Sequence, residues 1–363
     1  MNKTPAITAT QMFVMLFVSQ ILLNLTYNPL LFSSKTMWDH IVSMFFSFLT
    51  VFLIFCPIYF LYKKNPKLNI IESSVNFLGK FGFIFGLIYA IYYLFASCYS
   101  LCVFNIFISN VVSPKTSLWL VSFAVGMTCW YGASKGIEGL ARASWIIFFM
   151  ITVSMIFLFC ALMPRIDSLN YTPLLYNGPD EAINGTVSMV AQNFCIPTIA
   201  MLFPFVRGNL KKGMFFWNLA SHVFLAAIIL LVIGSLGDYV KTQMFPVYTA
   251  VTVAEIGALK RLDSIFLGLW TTTLFCKISL FLFLISNIFE SLWGKKASKI
   301  SLIVSGLSVS ALSALGSYNI ELLKSVYNAN IILGFTMIVS IVLPCIIVLL
   351  GLIKPRSINP IKH

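Results

Sequence analysis

Ten apolar stretches, at roughly 8–31, 38–62, 82–112, 116–133, 142–163, 184–206, 214–236, 263–291, 300–315 and 329–353, take up most of the 363 residues. About 17 to 25 residues of helix suffice to cross a hydrocarbon core about 30 Å thick. The pattern therefore predicts an all-α polytopic membrane protein with ten transmembrane helices.

The charges between the stretches sort by side. With the N-terminus inside, the inner segments carry Lys3; Lys63, Lys64, Lys67 and Lys80; Lys135 and Arg142; Arg207, Lys211 and Lys212; Lys295, Lys296 and Lys299; and Lys354, Arg356 and Lys362. The outer segments carry Lys35, Lys115, Arg165, Lys241, Lys260, Arg261 and Lys324. Acidic residues reverse the bias: Glu72, Glu138 and Glu290 lie inside, and Asp39, Asp167, Asp180, Glu181, Asp238, Glu255, Asp263 and Glu321 outside. Positive charge favours the cytoplasmic side, so both termini are expected there. The net charge of +13 concentrates on the inner face. Anionic lipid headgroups account for it, with no need for a nucleic-acid partner.

The longest connections, around 63–81, 164–183 and 237–262, are too short to bury a core of their own, so one membrane domain is expected over 1–363. The first stretch shows no small-residue cleavage site after a short core and is expected to stay as the first helix. All eight cysteines lie in apolar stretches without a CxxC pair, and although Cys98 and Cys102 share a helix face, two thiols alone make a poor zinc site. His40, His222 and His363 are scattered. Composition thus argues against an enzyme and points to no cofactor.

Polar groups at mid-depth and interrupted helices are costly in lipid and are tolerated mainly where they line a cavity. Three places qualify. The first stretch contains Ser19-Gln20 and Asn24-Leu25-Thr26-Tyr27-Asn28-Pro29. A break there would present Gln20, Asn24 and Thr26 to a ligand; alternatively, Gln20 and Asn24 hydrogen-bond between helices and Asn28-Pro29 ends the span. The sixth stretch places Gln192 and Asn193 before Cys195-Ile196-Pro197-Thr198. Pro197 has no N–H, which leaves carbonyls near 193 without their helical partner, although a plain kink would also answer. If the first five stretches repeat, inverted, as the last five, the sixth is the counterpart of the first. Paired interruptions in corresponding halves point to a transporter-type binding site. The third place is Lys277, the charged group near the middle of a span. Left unpaired it would cost roughly 2.5 to 3.5 kcal/mol, so it is expected neutral, bonded to a carbonyl, or in water. It stands as a ligand or proton site, in place of a sodium, or as an anchor. Tyr93, with Tyr92, adds an aromatic that either closes over a ligand or packs.

Between the seventh and eighth stretches runs an unusual connection: Phe245-Pro246 with Tyr248, then Arg261-Leu262-Asp263 and Trp270. Its part from about 247 to 259 is mildly amphipathic and is expected to lie on the outer surface. With Ile7-Thr8 and Gln11, Ser19-Gln20-Ile21, Tyr131-Gly132 with Gly139 and Arg142, and Pro173-Leu174-Leu175, these residues resemble the spore germination permease family, the B subunits of Ger-type germinant receptors. The likeness runs from about residue 7 to 353.

That resemblance implies a branch of the amino acid, polyamine and organocation transporter superfamily. Its LeuT-like fold has two inverted five-helix repeats, here about 8–163 and 184–353, with discontinuous helices one and six. It implies the inner membrane of an endospore, an A subunit and a lipoprotein C subunit as partners, and a small nutrient such as an amino acid as ligand. The expected site is Gln20, Asn24, Thr26, Tyr93, Gln192, Asn193, Thr198 and Lys277. An active proton-coupled amino acid or amine transporter is the alternative. Family members commonly carry glycines after Ser-Gln-Ile, whereas this chain has Leu22 and Asn24. A leucine blocks the close backbone approach that glycine permits. Either the ligand differs from a simple L-amino acid, or direct binding has been lost.

Overall fold

The computed structural model describes residues 6–25, 37–171, 179–254 and 263–353. Among them the regular structure is helical except for two short strands. The order is β1 (Ile7–Thr8), α1 (Ala9–Leu25), α2 (Met37–Lys64), α3 (Ile70–Leu78), α4 (Gly82–Phe107), α5 (Leu118–Ser134), α6 (Gly136–Leu162), α7 (Pro179–Ala191), α8 (Ile196–Leu202), β2 (Val206–Arg207), α9 (Leu210–Leu236), α10 (Pro246–Val253), α11 (Asp263–Trp293), α12 (Lys295–Tyr318), α13 (Ile320–Val326), α14 (Ala329–Met337) and α15 (Leu343–Ile353).

Eight helical segments among the described residues are long and apolar enough to cross a bilayer, which makes this an integral membrane protein. Two shorter apolar helices, Ala9–Ile21 and Leu118–Ser134, coincide with the first and fourth stretches. Length alone therefore establishes eight of the ten expected spans. Lipid replaces water around such a bundle, so large apolar side chains such as Leu53, Phe60, Phe149 and Ile300 point outward. Helices meet instead through small residues that let backbones approach. A Cβ on Gly126 would strike the Ser310 hydroxyl, and one on Gly185 the Ser43 hydroxyl.

The packing order sets the site. α1 lies against α6, α9 and α11; α4 against α11 and α12; α2 against α7 and α9; and α7 against α14. At one end, β1 and β2 pair in parallel, Ile7 opposite Val206 and Thr8 opposite Arg207, with the Ala6 N–H donating to the Phe205 carbonyl at 3.0 Å. This pair ties the entry of α1 to the exit of α8. Thr8 then caps α1 reciprocally: the Gln11 N–H donates to the Thr8 hydroxyl at 3.2 Å, and the Thr8 N–H to the Gln11 side-chain oxygen at 2.8 Å. Two donors that a helix start leaves unbonded are satisfied in this way. Gly208 carries the chain from β2 toward α9 at φ 114, a conformation that a Cβ disfavours.

Three details go beyond the sequence pattern. The 63–81 connection contains α3, a helix started by a capping box: the Glu72 N–H donates to Asn69 Oδ1 at 2.7 Å and the Asn69 N–H to Glu72 Oε2 at 3.1 Å. The Asn69 amide also reaches Ser291 at 3.4 Å and Asn287 at 3.5 Å on α11, fastening α3 to that helix. α1 runs unbroken from Ala9 to Leu25, and the break expected around Asn24–Pro29 falls largely outside the described residues. The final stretch is not one regular helix. It widens into a π turn over Ile338–Val342, before Pro344, which has no N–H to return to Ser340. Within the 247–259 segment lies a short helix, α10 over Pro246–Val253, with Pro246, Val247, Ala250 and Val251 buried, while Arg261 and Leu262 lie outside the described residues.

Candidate functional site

The site is built around the break between α7 and α8. α7 ends at Ala191, residues 192–195 form turns, and α8 resumes at Ile196 with Pro197 in its first turn. Proline is harmless there, because a first-turn N–H has no partner within its helix. The interruption thus precedes Pro197 by a turn, and the proline restarts the helix. Backbone bonding changes accordingly: the Asn193 N–H reaches the Val190 carbonyl at 3.1 Å, and the Phe194 N–H reaches that of Gln192 at 2.9 Å. The Ala191 carbonyl accepts from the Thr336 hydroxyl of α14 at 3.3 Å.

Lys277 of α11 faces this break. It is fully buried and its Nζ has no hydrogen-bond partner. The ammonium position lies 5.2 Å from the Phe194 ring centre and 5.9 Å from that of Phe281, within cation–π range. Cys195, in the break, is close enough to interact with it electrostatically. No carbonyl among the described residues accepts from Lys277 Nζ.

Tyr93 of α4 closes the group. Its ring lies 5.3 Å from Phe281 and 5.6 Å from Tyr92. The Tyr93 and Thr198 hydroxyls are neighbours, yet neither makes a hydrogen bond of ordinary length. Asn193 is buried with its Oδ1 likewise unpartnered. Four of the eight residues singled out from the sequence, Tyr93, Asn193, Thr198 and Lys277, therefore converge on the break with polar atoms lacking partners. Buried polar atoms normally find a bond, and several unmet ones together mark a place where a polar ligand would be welcome.

The others divide. Gln20 is buried on α1 with its Oε1 unpartnered, and α1 packs on α11. Gln192 sits in the break itself and is half-buried. Asn24 belongs to α1, but its side chain lies outside the described residues, as does Thr26 altogether. Sequence reasoning missed Thr336, whose hydroxyl contacts the Tyr92 hydroxyl at 3.3 Å as well as Ala191, and Phe194 and Phe281, which face the lysine. It also missed the bond from the Tyr89 hydroxyl to the Val339 carbonyl in the π turn, at 2.7 Å. Nothing in an apolar stretch distinguishes a threonine that caps a neighbour's broken end from one that bonds its own helix.

A buried, interrupted helix is the kind of discontinuity around which transporter folds build a binding site. The family model for spore germination protein matches residues 6–320, and the chain belongs to that spore germination permease family. It is 25% identical over 290 residues to spore germination protein KB of Bacillus subtilis (strain 168), covering 76% of each chain. It is 23% identical over 183 residues to spore germination protein XB of Bacillus anthracis, covering 49% of this chain and 51% of that protein. The fold is similar to a solved Na+-coupled sialic acid symporter in a substrate-bound outward-open state. That match has TM-score 0.65 and 13% identity, and it covers 94% of this chain and 80% of the other. The architecture is therefore LeuT-like, with an inverted repeat and a discontinuous sixth helix, and family and fold are of permease type rather than of an enzyme.

Proposed function

We propose that this protein is the membrane subunit of a spore germinant receptor that binds a small nutrient, an amino acid or similar, at the α7–α8 break and signals to partner subunits. The observation that carries the reading is the convergence of Tyr93, Asn193, Thr198 and Lys277, each with a buried polar atom in need of a partner. Lys277 offers three donors to a carboxylate, while Asn193 Oδ1 and Gln20 Oε1 accept from an amine or hydroxyl. Phe194, Phe281 and Tyr92 supply apolar wall. Ligand held between α1, α4, α7–α8 and α11 biases the conformation that binds it better, by no more than its differential affinity.

The charge bias supports both termini on the cytoplasmic side, in the inner membrane of the spore. The two repeats run over about 8–163 and 184–353 of a single membrane domain, with 237–262 on the outer face. An A subunit and a lipoprotein C subunit receive the signal. Lys277 also favours a second reading, a proton-coupled amino acid or amine transporter, since a lysine in an apolar site can give up its proton.

The test is dipicolinate release from spores of the native host across single amino acids, sugars and mixtures, comparing wild type, deletion, Asn193→Leu and Lys277→Met at equal protein level. Loss of one nutrient response in the deletion and both variants supports the receptor. A normal response in both variants sinks the site. Nutrient uptake into proteoliposomes that Lys277→Met abolishes would favour the transporter.

A further inference from the structure

A second polar cluster lies away from this site, between α2 and α9. His222 is buried, and its two ring nitrogens are both engaged: Nδ1 with the Asn218 carbonyl at 2.9 Å and Nε2 with the Ser47 hydroxyl at 3.2 Å. A carbonyl can only accept, so Nδ1 carries the hydrogen. In the neutral ring Nε2 is then the acceptor, and Ser47 donates to it. On α9 just before and beside His222, three groups have no partner among the described residues: Trp217 Nε1, Asn218 Oδ1 and Ser221 Oγ, on residues only 2%, 1% and 5% exposed. Trp217 packs on Phe55 of α2, and the Asn218 amide donates to the Phe48 carbonyl of α2 at 3.1 Å. At about 100° per residue, Ser221 falls between Trp217 and Asn218, so the three share the face of α9 that meets α2 in this seam.

We propose that this seam is a buried water site at which His222 binds a proton. One donor, one acceptor and one hydroxyl are a set that a water molecule can satisfy, and buried waters typically bond about three such groups. The added proton ends on Nε2 as a new N–H bond and no other bond breaks. Ser47 changes from donor to acceptor, and its own O–H must turn elsewhere. The carbonyl one turn back, that of Ser43, is the usual target of a helical serine. That carbonyl already accepts from Thr186 of α7 at 3.2 Å, while Thr186 also holds Ala182 at 2.8 Å. Proton uptake at His222 therefore brings a further side-chain donor to the carbonyl through which Thr186 ties α2 to the helix that ends in the break.

His222 stands apart from other titratable groups along this seam. α1 carries none among its described residues, and α10 carries only Tyr248. α2 has Asp39 in its first turn and His40, which interacts with Glu181 of α7, about two turns before Ser47, and Cys56, Tyr59, Tyr62, Lys63 and Lys64 toward its other end. α6 has Glu138 paired with Arg142 near one end and Cys160 near the other. α9 has Lys211 and Lys212 three turns before His222; Tyr171 donates to the Leu230 carbonyl about two turns after it, and Arg165, Asp167, Asp238, Tyr239 and Lys241 lie toward its far end.

The experiment uses full-length protein in lipid nanodiscs with 15N-labelled histidine, His222→Gln and His40→Gln serving to assign the signals. His222 is expected as the Nδ1–H tautomer at high pH, converting to the doubly protonated ring on acidification. Ser47→Ala should move that midpoint. Hydroxyl-radical footprinting provides the water readout: Trp217 should label several-fold faster than Trp270, an equally buried tryptophan with an unpartnered N–H in an aromatic cluster. A His222 that stays neutral while the protein remains folded overturns the proposal. So does an unmoved midpoint in Ser47→Ala, or a Trp217 labelled no faster than Trp270.

Discussion

The Thr336 hydroxyl of α14 donates to the Ala191 carbonyl, the last of α7, at 3.3 Å. A helix that stops in the middle of a membrane exposes carbonyls with no water to receive them, and a neighbouring helix has to supply the donor. Thr336 supplies one and touches the Tyr92 hydroxyl with the same oxygen. Replacing it with valine keeps the shape and removes both contacts. Thr336→Val should cost about 1–3 kcal/mol, the penalty for leaving a buried polar group unsatisfied. Thermal unfolding in nanodiscs checks this, with Thr336→Ser expected near wild type.

Lys277 behaves differently, because the fold leaves it without a hydrogen bond. Lys277→Met removes a desolvated ammonium and keeps the volume, so the unliganded protein should be as stable as wild type or more so. The same variant should lose the rise in melting temperature that a bound nutrient gives. A large drop in unliganded stability would mean that the lysine holds the fold together.

Gly185 is a steric prediction. A methyl group there collides with the Ser43 hydroxyl and lies 2.9 Å from its Cβ. The hydroxyl also donates to the Ala182 carbonyl at 2.8 Å, so it has a reason to stay. Gly185→Ala should destabilise by about 1–3 kcal/mol, as overpacking does. Adding Ser43→Gly should recover part of the loss, and a double-mutant cycle measures how much.

Asn69 starts α3 and fastens it to α11. Asn69→Ala should cost about 0.5–2 kcal/mol through the lost cap alone. Hydrogen exchange localises the effect: amides of residues 70–78 should lose protection well before those of α4.

The bundle was legible in the sequence because a hydrocarbon solvent leaves so few options for a chain of apolar stretches. The sixth-helix interruption was legible too, since Gln192, Asn193 and Pro197 are out of place in such a stretch. Its mechanism was not: Pro197 begins a new helix, and the break before it is held by Thr336, about 145 residues away. Short-range signals were also available but faint. Asn69 and Glu72 spell a capping box, and so do Thr8 and Gln11, yet each pair is overshadowed by the apolar runs beside it. Side-chain convergence on Lys277 depends on packing between distant helices, which spacing along the chain does not encode.

The parallel pairing of Ile7 with Val206 bears on how the protein is made. Two residues about 200 positions apart close a very long loop, and closure of this kind becomes possible only when both ends exist. During synthesis the segment before α1 leaves the ribosome early and must wait, unpaired, until α8 has emerged and been inserted. The strand pair is therefore a late event in biogenesis, and a nascent chain stopped short of residue 206 should have its first helix in the membrane with its entry still untethered.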